Sequence, residues 1–236
     1  MDIDLSDYVA GGYFVVKYSS QDFWKSNLMP ERVISLSGCV SPQLEIVWGW
    51  NTEKYQKDIS DFGIPSDKFD TFAQWCRRDP GALYSLDIGR EFVAAFLPDN
   101  GDYFLIGIAL PKGLVDGFLI NNQQTVFDTN QQVYKDAIYG VNYVLKEHQP
   151  LPQGGTVLGF EVLSYSYGNI GCSWLCSGIE KDMHELFGIH PNLYGLIDSY
   201  TDAKKVYDWI AEDEMQGIRA EPEPYYPWLI VQYPVS

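Results

Sequence analysis

Trp228-Leu229-Ile230-Val231-Gln232-Tyr233 is a short run, apolar at every position but one. A strand that is apolar on consecutive residues has no side for solvent, so these six residues read as a strand near the centre of its sheet. Thr156–Ser166 reads as a second strand, with Leu158, Phe160 and Val162 on one face. Tyr13-Phe14-Val15-Val16-Lys17-Tyr18 reads as a third, and Leu44–Trp50, with Leu44, Ile46 and Trp48 sharing a face, as a fourth. Glu91–Leu97 and Tyr103–Leu110 flank Pro98-Asp99-Asn100-Gly101-Asp102, a turn-forming run that makes them the arms of a hairpin.

Between the strands lie stretches with the 3.6-residue period. Ser66 is placed to cap a helix whose stripe is Phe69, Phe72, Ala73 and Cys76, and Asp79-Pro80-Gly81 would stop it. Asn130–Lys146 reads as the longest helix, with Val133, Ala137, Val141 and Val144 on one side and Pro150 and Pro152 just beyond. A helix over Ser173–Phe187 would present Leu175, Ile179, Met183 and Leu186, and Gly188 is a natural terminator. Thr201 is placed to cap a last helix carrying Ala203, Val206, Tyr207, Ile210 and Ala211. Strands and helices alternate irregularly, with at least one hairpin. The expectation is an α+β fold with mixed or mostly antiparallel sheets and several packed helices. Pro150, Pro152 and Gln153-Gly154-Gly155 mark a seam between residues 1–150 and 151–236, which form two α+β regions or one continuous domain.

Composition narrows the function classes. The chain has 236 residues, 32 Asp and Glu against 16 Lys and Arg, yet 46% of it is apolar and 15% aromatic. That much apolar mass marks a folded acidic protein and not a disordered acidic tail. A surface with sixteen surplus negative charges repels nucleic acid and anionic membranes and speeds encounter with a basic partner. The apolar stretches are strand-sized and no export signal stands at Met1-Asp2-Ile3-Asp4, so the expected compartment is the cytoplasm. Cys39, Cys76, Cys172 and Cys176 are sparse and irregularly spaced, which reads as reduced thiols.

The densest group of reactive types is Cys172, Cys176, Glu180, His184 and His190. On a continuous helix, Cys176, Glu180 and His184 would share one face. The spacing C-x3-C-x7-H-x5-H matches no common zinc arrangement, so no metal or other cofactor is expected from it. An alternative is a thiol-dependent hydrolase or transferase in which Cys172 or Cys176 is the nucleophile and His184 or His190 the base. A helix N-terminus just after Cys172 would lower its pKa.

The acids concentrate towards the C-terminal part. Asp208, Glu212, Asp213, Glu214, Glu221 and Glu223 are followed at once by Tyr225 and Tyr226. Carboxylates beside exposed aromatics would form a docking patch for a basic protein, the acids steering and the rings supplying contact area. The run Gly159-Phe160-Glu161-Val162-Leu163, Ser173-Trp174-Leu175-Cys176-Ser177-Gly178-Ile179-Glu180, Phe187-Gly188-Ile189-His190-Pro191-Asn192, Tyr194-Gly195-Leu196-Ile197 and Tyr226-Pro227-Trp228-Leu229 resembles immunity proteins of bacterial polymorphic toxin systems. The resemblance covers about residues 157–233 and rests on packing and turn residues. It implies a cytosolic, non-enzymatic inhibitor whose partner is a cognate toxin protein, basic where it meets this chain. No nucleic acid, membrane or catalytic residue is implied.

Overall fold

In a computed structural model of the chain, five strands form one sheet; the residues described are 3–20, 27–41, 62–78, 82–99, 101–122, 125–127, 133–135, 140–166, 169–176, 178–216 and 220–235. In chain order the strands are β1 (Tyr8–Val16), β2 (Ser19–Ser20), β3 (Arg32–Val33), β4 (Phe104–Pro111), β5 (Thr125–Phe127), β6 (Val133–Lys135), β7 (Thr156–Ser166), β8 (Asn169–Ser173) and β9 (Tyr225–Tyr233). The helices are α1 (Phe69–Arg78), α2 (Leu86–Phe96), α3 (Lys112–Asn121), α4 (Gly140–Lys146), α5 (Ile179–Phe187) and α6 (Tyr200–Gln216). The main sheet runs β1-β4-β9-β7-β8 with every neighbour antiparallel, and β2/β3 and β5/β6 are separate two-stranded pairs. The α+β expectation therefore holds.

β9 is central, as its apolar run requires. Leu229 and Val231 point into one core layer with Phe160 and Val162 of β7, Phe92 and Phe96 of α2, Met183 of α5, and Val206 and Ile210 of α6. Trp228 and Ile230 point into the other, with Ile106 and Ile108 of β4, Phe118 of α3 and Leu145 of α4. Each fully buried large aliphatic side chain contributes about 1.5–3 kcal/mol, so a strand buried on both faces stabilises far more per residue than an edge strand does. β1 and β4 come from before residue 150, and β7, β8 and β9 from after it. Because β4 pairs with β9, the sheet crosses the proline-rich seam. Among the described residues no helix is long and apolar enough to cross a membrane.

Several local readings are corrected. Glu91–Leu97 is not a hairpin arm: Glu91–Phe96 is the C-terminal half of α2 and Leu97 its C-cap. The Ser85 hydroxyl accepts the Ile88 N–H at 3.2 Å and starts that helix, and Phe92, Val93 and Phe96 follow its period into the core. The true antiparallel partner of β4 on that side is β1. Among the described residues of the long helix expected over Asn130–Lys146, the helical ones are those of α4. Val133–Lys135 pairs with Thr125–Phe127 as a strand, and Gly140 begins the helix from a left-handed φ of 56°. The helix expected from Ser173 begins at Ile179: β8 runs to Ser173, and Gly178 (φ 72°) turns the chain into α5. Gly188 does end α5, with φ 65°, but Leu186 is exposed.

Ser199, not Thr201, caps α6. Its hydroxyl accepts the Asp202 N–H at 3.1 Å. Ser66 is not a cap but the first residue of a single 3-10 turn before α1, whose cap position is Pro65. Leu158 lies opposite Phe160 and Val162 because a bulge at Gly159 (φ 141°) shifts the register there. The expected strand Leu44–Trp50, the stop at Asp79-Pro80-Gly81 and the Cys76 side chain lie outside the described residues.

Candidate functional site

A polar network sits where the segment after β3 meets β7 and β8. Alternation along β7 sends Phe160 and Val162 into one layer and Glu161 into the other, opposite Trp228, where it is fully buried. A carboxylate removed from water must find donors. The hydroxyl of Ser35 and the backbone N–H of Leu36 (3.0 Å) donate to it, and Ser173 adds a further side-chain hydrogen bond. Burial nonetheless dominates and pushes the Glu161 pKa up to about 7, the bonds from Ser35, Leu36 and Ser173 offsetting only part of the effect. Ser35 also accepts the Ser37 N–H at 2.9 Å, which fixes the segment that carries both serines.

Ser37 connects this carboxylate to a cluster of thiols. The Ser37 hydroxyl lies 3.2 Å from Cys176 Sγ, which also accepts the Ser173 N–H at 3.1 Å. Cys176 sits in the turn after β8, its own N–H returning to the Ser173 carbonyl. Cys172 lies on β8, and its N–H donates at 2.7 Å to Ser164 Oγ, which in turn donates at 2.7 Å to the Glu223 carboxylate. Cys39 stands on a turn in which the Val40 and Ser41 N–H groups return to the Ser37 carbonyl. The three sulfur atoms lie within 4.8 Å of one another, and Cys39 is exposed while the other two are half-buried.

The chemistry of these thiols differs from what a nucleophile requires. Burial pushes Cys176 up to about 12 despite the hydrogen bonds from Ser37 and Ser173. Cys172 is also raised, first by burial and then by the nearby Cys39 thiol. Both are neutral thiols near pH 7, and the thiolate is the reactive form. Cys172 lies on a strand, with α5 beginning only at Ile179, so no helix N-terminus assists it. His184 and His190 pack against each other with ring centres 4.3 Å apart and planes tilted by 51°. Among the described residues, the convergent ligand group contains Cys39, Cys172 and Cys176 and neither histidine. Cys176, Glu180 and His184 do not share a helical face, because Cys176 precedes the helix; Glu180 is buried.

The acidic patch is also rearranged. Asp208 is exposed but tied to Lys204 at 2.6 Å, one turn back on α6. Glu212 and Glu221 are exposed, Glu223 is half-buried against Ser164, and the side chains of Asp213 and Glu214 lie outside the described residues. Tyr225 and Tyr226 are not contact aromatics. They begin β9 and are buried, Tyr226 against Phe118 with ring centres 4.7 Å apart. Among the described residues after 150, the large apolar side chains left exposed are Leu186, Phe187, Leu193 and Val235.

Sequence reasoning missed Glu161, Ser35, Ser37 and Cys39. A signal existed for the first: a lone acid inside the apolar run Phe160–Leu163 of a strand buried on both faces. Nothing local to Cys39 pairs it with residues more than 130 positions later. No family model, characterised protein or solved structure matches the chain. These comparisons neither support nor refute the resemblance expected over about residues 157–233, and the structure shows only what the residues quoted for it do locally. Among these, Gly159 forms the bulge, Gly188 ends α5, and Gly195 (φ 81°) closes a turn in which Asn192 accepts the Tyr194 and Leu196 N–H groups.

Proposed function

We propose that this chain is an immunity protein, a non-enzymatic inhibitor that acts in the cytoplasm and neutralises a basic toxin domain by covering it. The observation that carries this reading is the surplus of sixteen negative charges on a chain with a well-formed core. Carboxylates spread over an outer surface attract the Lys and Arg clusters with which toxins grip nucleic acids or nucleotides, and they raise the association rate before any contact forms. The raised pKa values of Cys172 and Cys176 weigh against the thiol-dependent alternative, and the group in which the two thiols converge includes neither histidine.

The steering surface in this proposal is the second half of α6 with the following segment: Glu212, Asp213, Glu214 and Glu221. Leu186, Phe187 and Leu193 supply apolar contact area in place of the buried Tyr225 and Tyr226. The test is co-expression with the polypeptide encoded by the adjacent reading frame, followed by kinetics on the purified pair. Growth should be rescued. Replacing Glu212, Asp213 and Glu214 together by Ala should slow association about tenfold at low salt and flatten its ionic-strength dependence. Absence of rescue would overturn the inhibitor reading, whereas rescue with an unaltered on-rate in the triple variant would move the interface off α6.

A further inference from the structure

Three thiols from three separate turns or strands of a chain rarely meet without a reason. Here Cys39 arrives from the turn after β3, Cys172 from β8 and Cys176 from the turn beyond it, with their sulfurs within 4.8 Å of one another. A tetrahedral Zn2+ with Zn–S bonds of about 2.3 Å holds its sulfur ligands roughly 3.8 Å apart, so closure needs at most about 1 Å of movement per pair. The exposed Cys39 side supplies both that freedom and an entry path. We propose that Cys39, Cys172 and Cys176 bind one thiophilic divalent cation, Zn2+, through three thiolates, with solvent in the fourth position.

The surroundings are those of a metal site with an outer shell. The Ser173 N–H and the Ser37 hydroxyl both address Cys176 Sγ, orienting it and stabilising its ionised form. Ser164 holds the Cys172 backbone N–H and is itself held by Glu223, so β8 is fixed at the ligand it carries. A disulfide would join two of the three sulfurs and leave the third unexplained. The ion would fasten the Ser37–Ser41 turn to β8, an outer strand of the sheet, and so guard a strand edge. Binding replaces three S–H protons by the metal, Zn2+ + 3 RSH giving Zn(SR)3− + 3 H+.

The experiment uses the full chain, reduced and stripped with a chelator, titrated with Zn2+ against a chromophoric competitor and with Co2+ for its thiolate-to-metal charge-transfer absorption. One ion per chain should bind, with release of about three protons per Zn2+ in weak buffer. Cys39→Ser, Cys172→Ser and Cys176→Ser should each weaken Zn2+ binding by more than about 100-fold, beyond the 10–100-fold typical of an outer-shell change, and Ser164→Ala should fall in that lesser range. The double variant His184→Ala/His190→Ala should bind as the parent does. Cys39 is exposed, so its variant is the one least coupled to folding, and far-UV circular dichroism of each stripped variant checks this. Overturning results are Zn2+ binding no tighter than about micromolar, binding that survives Cys39→Ser, or dependence on the histidines. A disulfide among the three thiols with no Zn2+ uptake after reduction would overturn it equally.

Discussion

Replacing Glu161 by Gln keeps the size of a buried side chain while removing its ability to ionise. In the parent, Glu161 holds its proton up to about pH 7 in the folded state, against an ordinary value of 4.5 in the unfolded chain. Between those two values the native state binds one proton more than the unfolded state. Stability contributed by the protonated carboxyl is therefore complete below pH 4.5 and is lost as pH rises through 7. A displacement of this size is on the order of 3 kcal/mol at about 1.4 kcal/mol per pH unit. Gln has no such proton, so the variant's stability should gain on the parent's by about 3 kcal/mol between pH 4.5 and pH 8. For a chain of this length, that corresponds to roughly 6–12 °C in relative Tm. The assay is urea unfolding of both proteins, metal-stripped, at half-unit pH steps from 4.5 to 8.5. Parallel profiles across that window would refute the placement of Glu161 as a desolvated acid.

Three further outcomes follow from the same structure. Gly159→Ala forces a side chain onto a φ of 141° and brings Cβ within 2.8 Å of the Ile197 carbonyl oxygen. It should destabilise by about 2–3 kcal/mol, and a loss below about 0.5 kcal/mol in chemical denaturation would contradict the bulge. Ser199→Ala removes the cap of α6 and should lower stability by about 1 kcal/mol in the same assay, whereas Thr201→Ala should change little. Iodoacetamide at pH 7.5 on the stripped chain, followed by peptide mapping, should label Cys176 at least about 100-fold more slowly than an ordinary free thiol, since its thiolate fraction is far smaller. Labelling of Cys176 at the rate of a free thiol would overturn its assigned environment.

The parts of this fold that were legible in the sequence are those in which one local pattern has one explanation. The β9 run read as a strand near the centre of its sheet, and Thr156–Ser166 was bounded by its own turn residues. Of the stripe Ala203, Val206, Tyr207, Ile210 and Ala211 read for α6, Ala203, Val206 and Ile210 are buried, Tyr207 is half-buried and Ala211 is exposed. Misreadings arose where a short segment satisfied two periods. Glu91–Leu97 is apolar enough for a strand, and only the Ser85 cap together with Phe92, Val93 and Phe96 reveals the helix. Val133 and Val141 share a helical period by coincidence across Gly140, whose positive φ separates strand from helix. The candidate site was mostly invisible because it is assembled by tertiary contact: Ser35, Ser37 and Cys39 acquire meaning only when β7 and β8 bring Glu161, Cys172 and Cys176 to them. The acidic bias was legible from composition, but the fate of Tyr225 and Tyr226 depended on where β9 begins.

The order of strands along the chain has a consequence for biosynthesis. β1 and β4, then β7 and β8, emerge from the ribosome before residues 225–233, yet those residues occupy the gap between the two pairs. Until the gap is filled, β4 and β7 each present a row of unsatisfied amides and carbonyls to the surrounding medium. A nascent chain halted upstream of Tyr225 would thus hold two half-sheets that attract foreign strands. Correct maturation depends on one late insertion that zips both halves together.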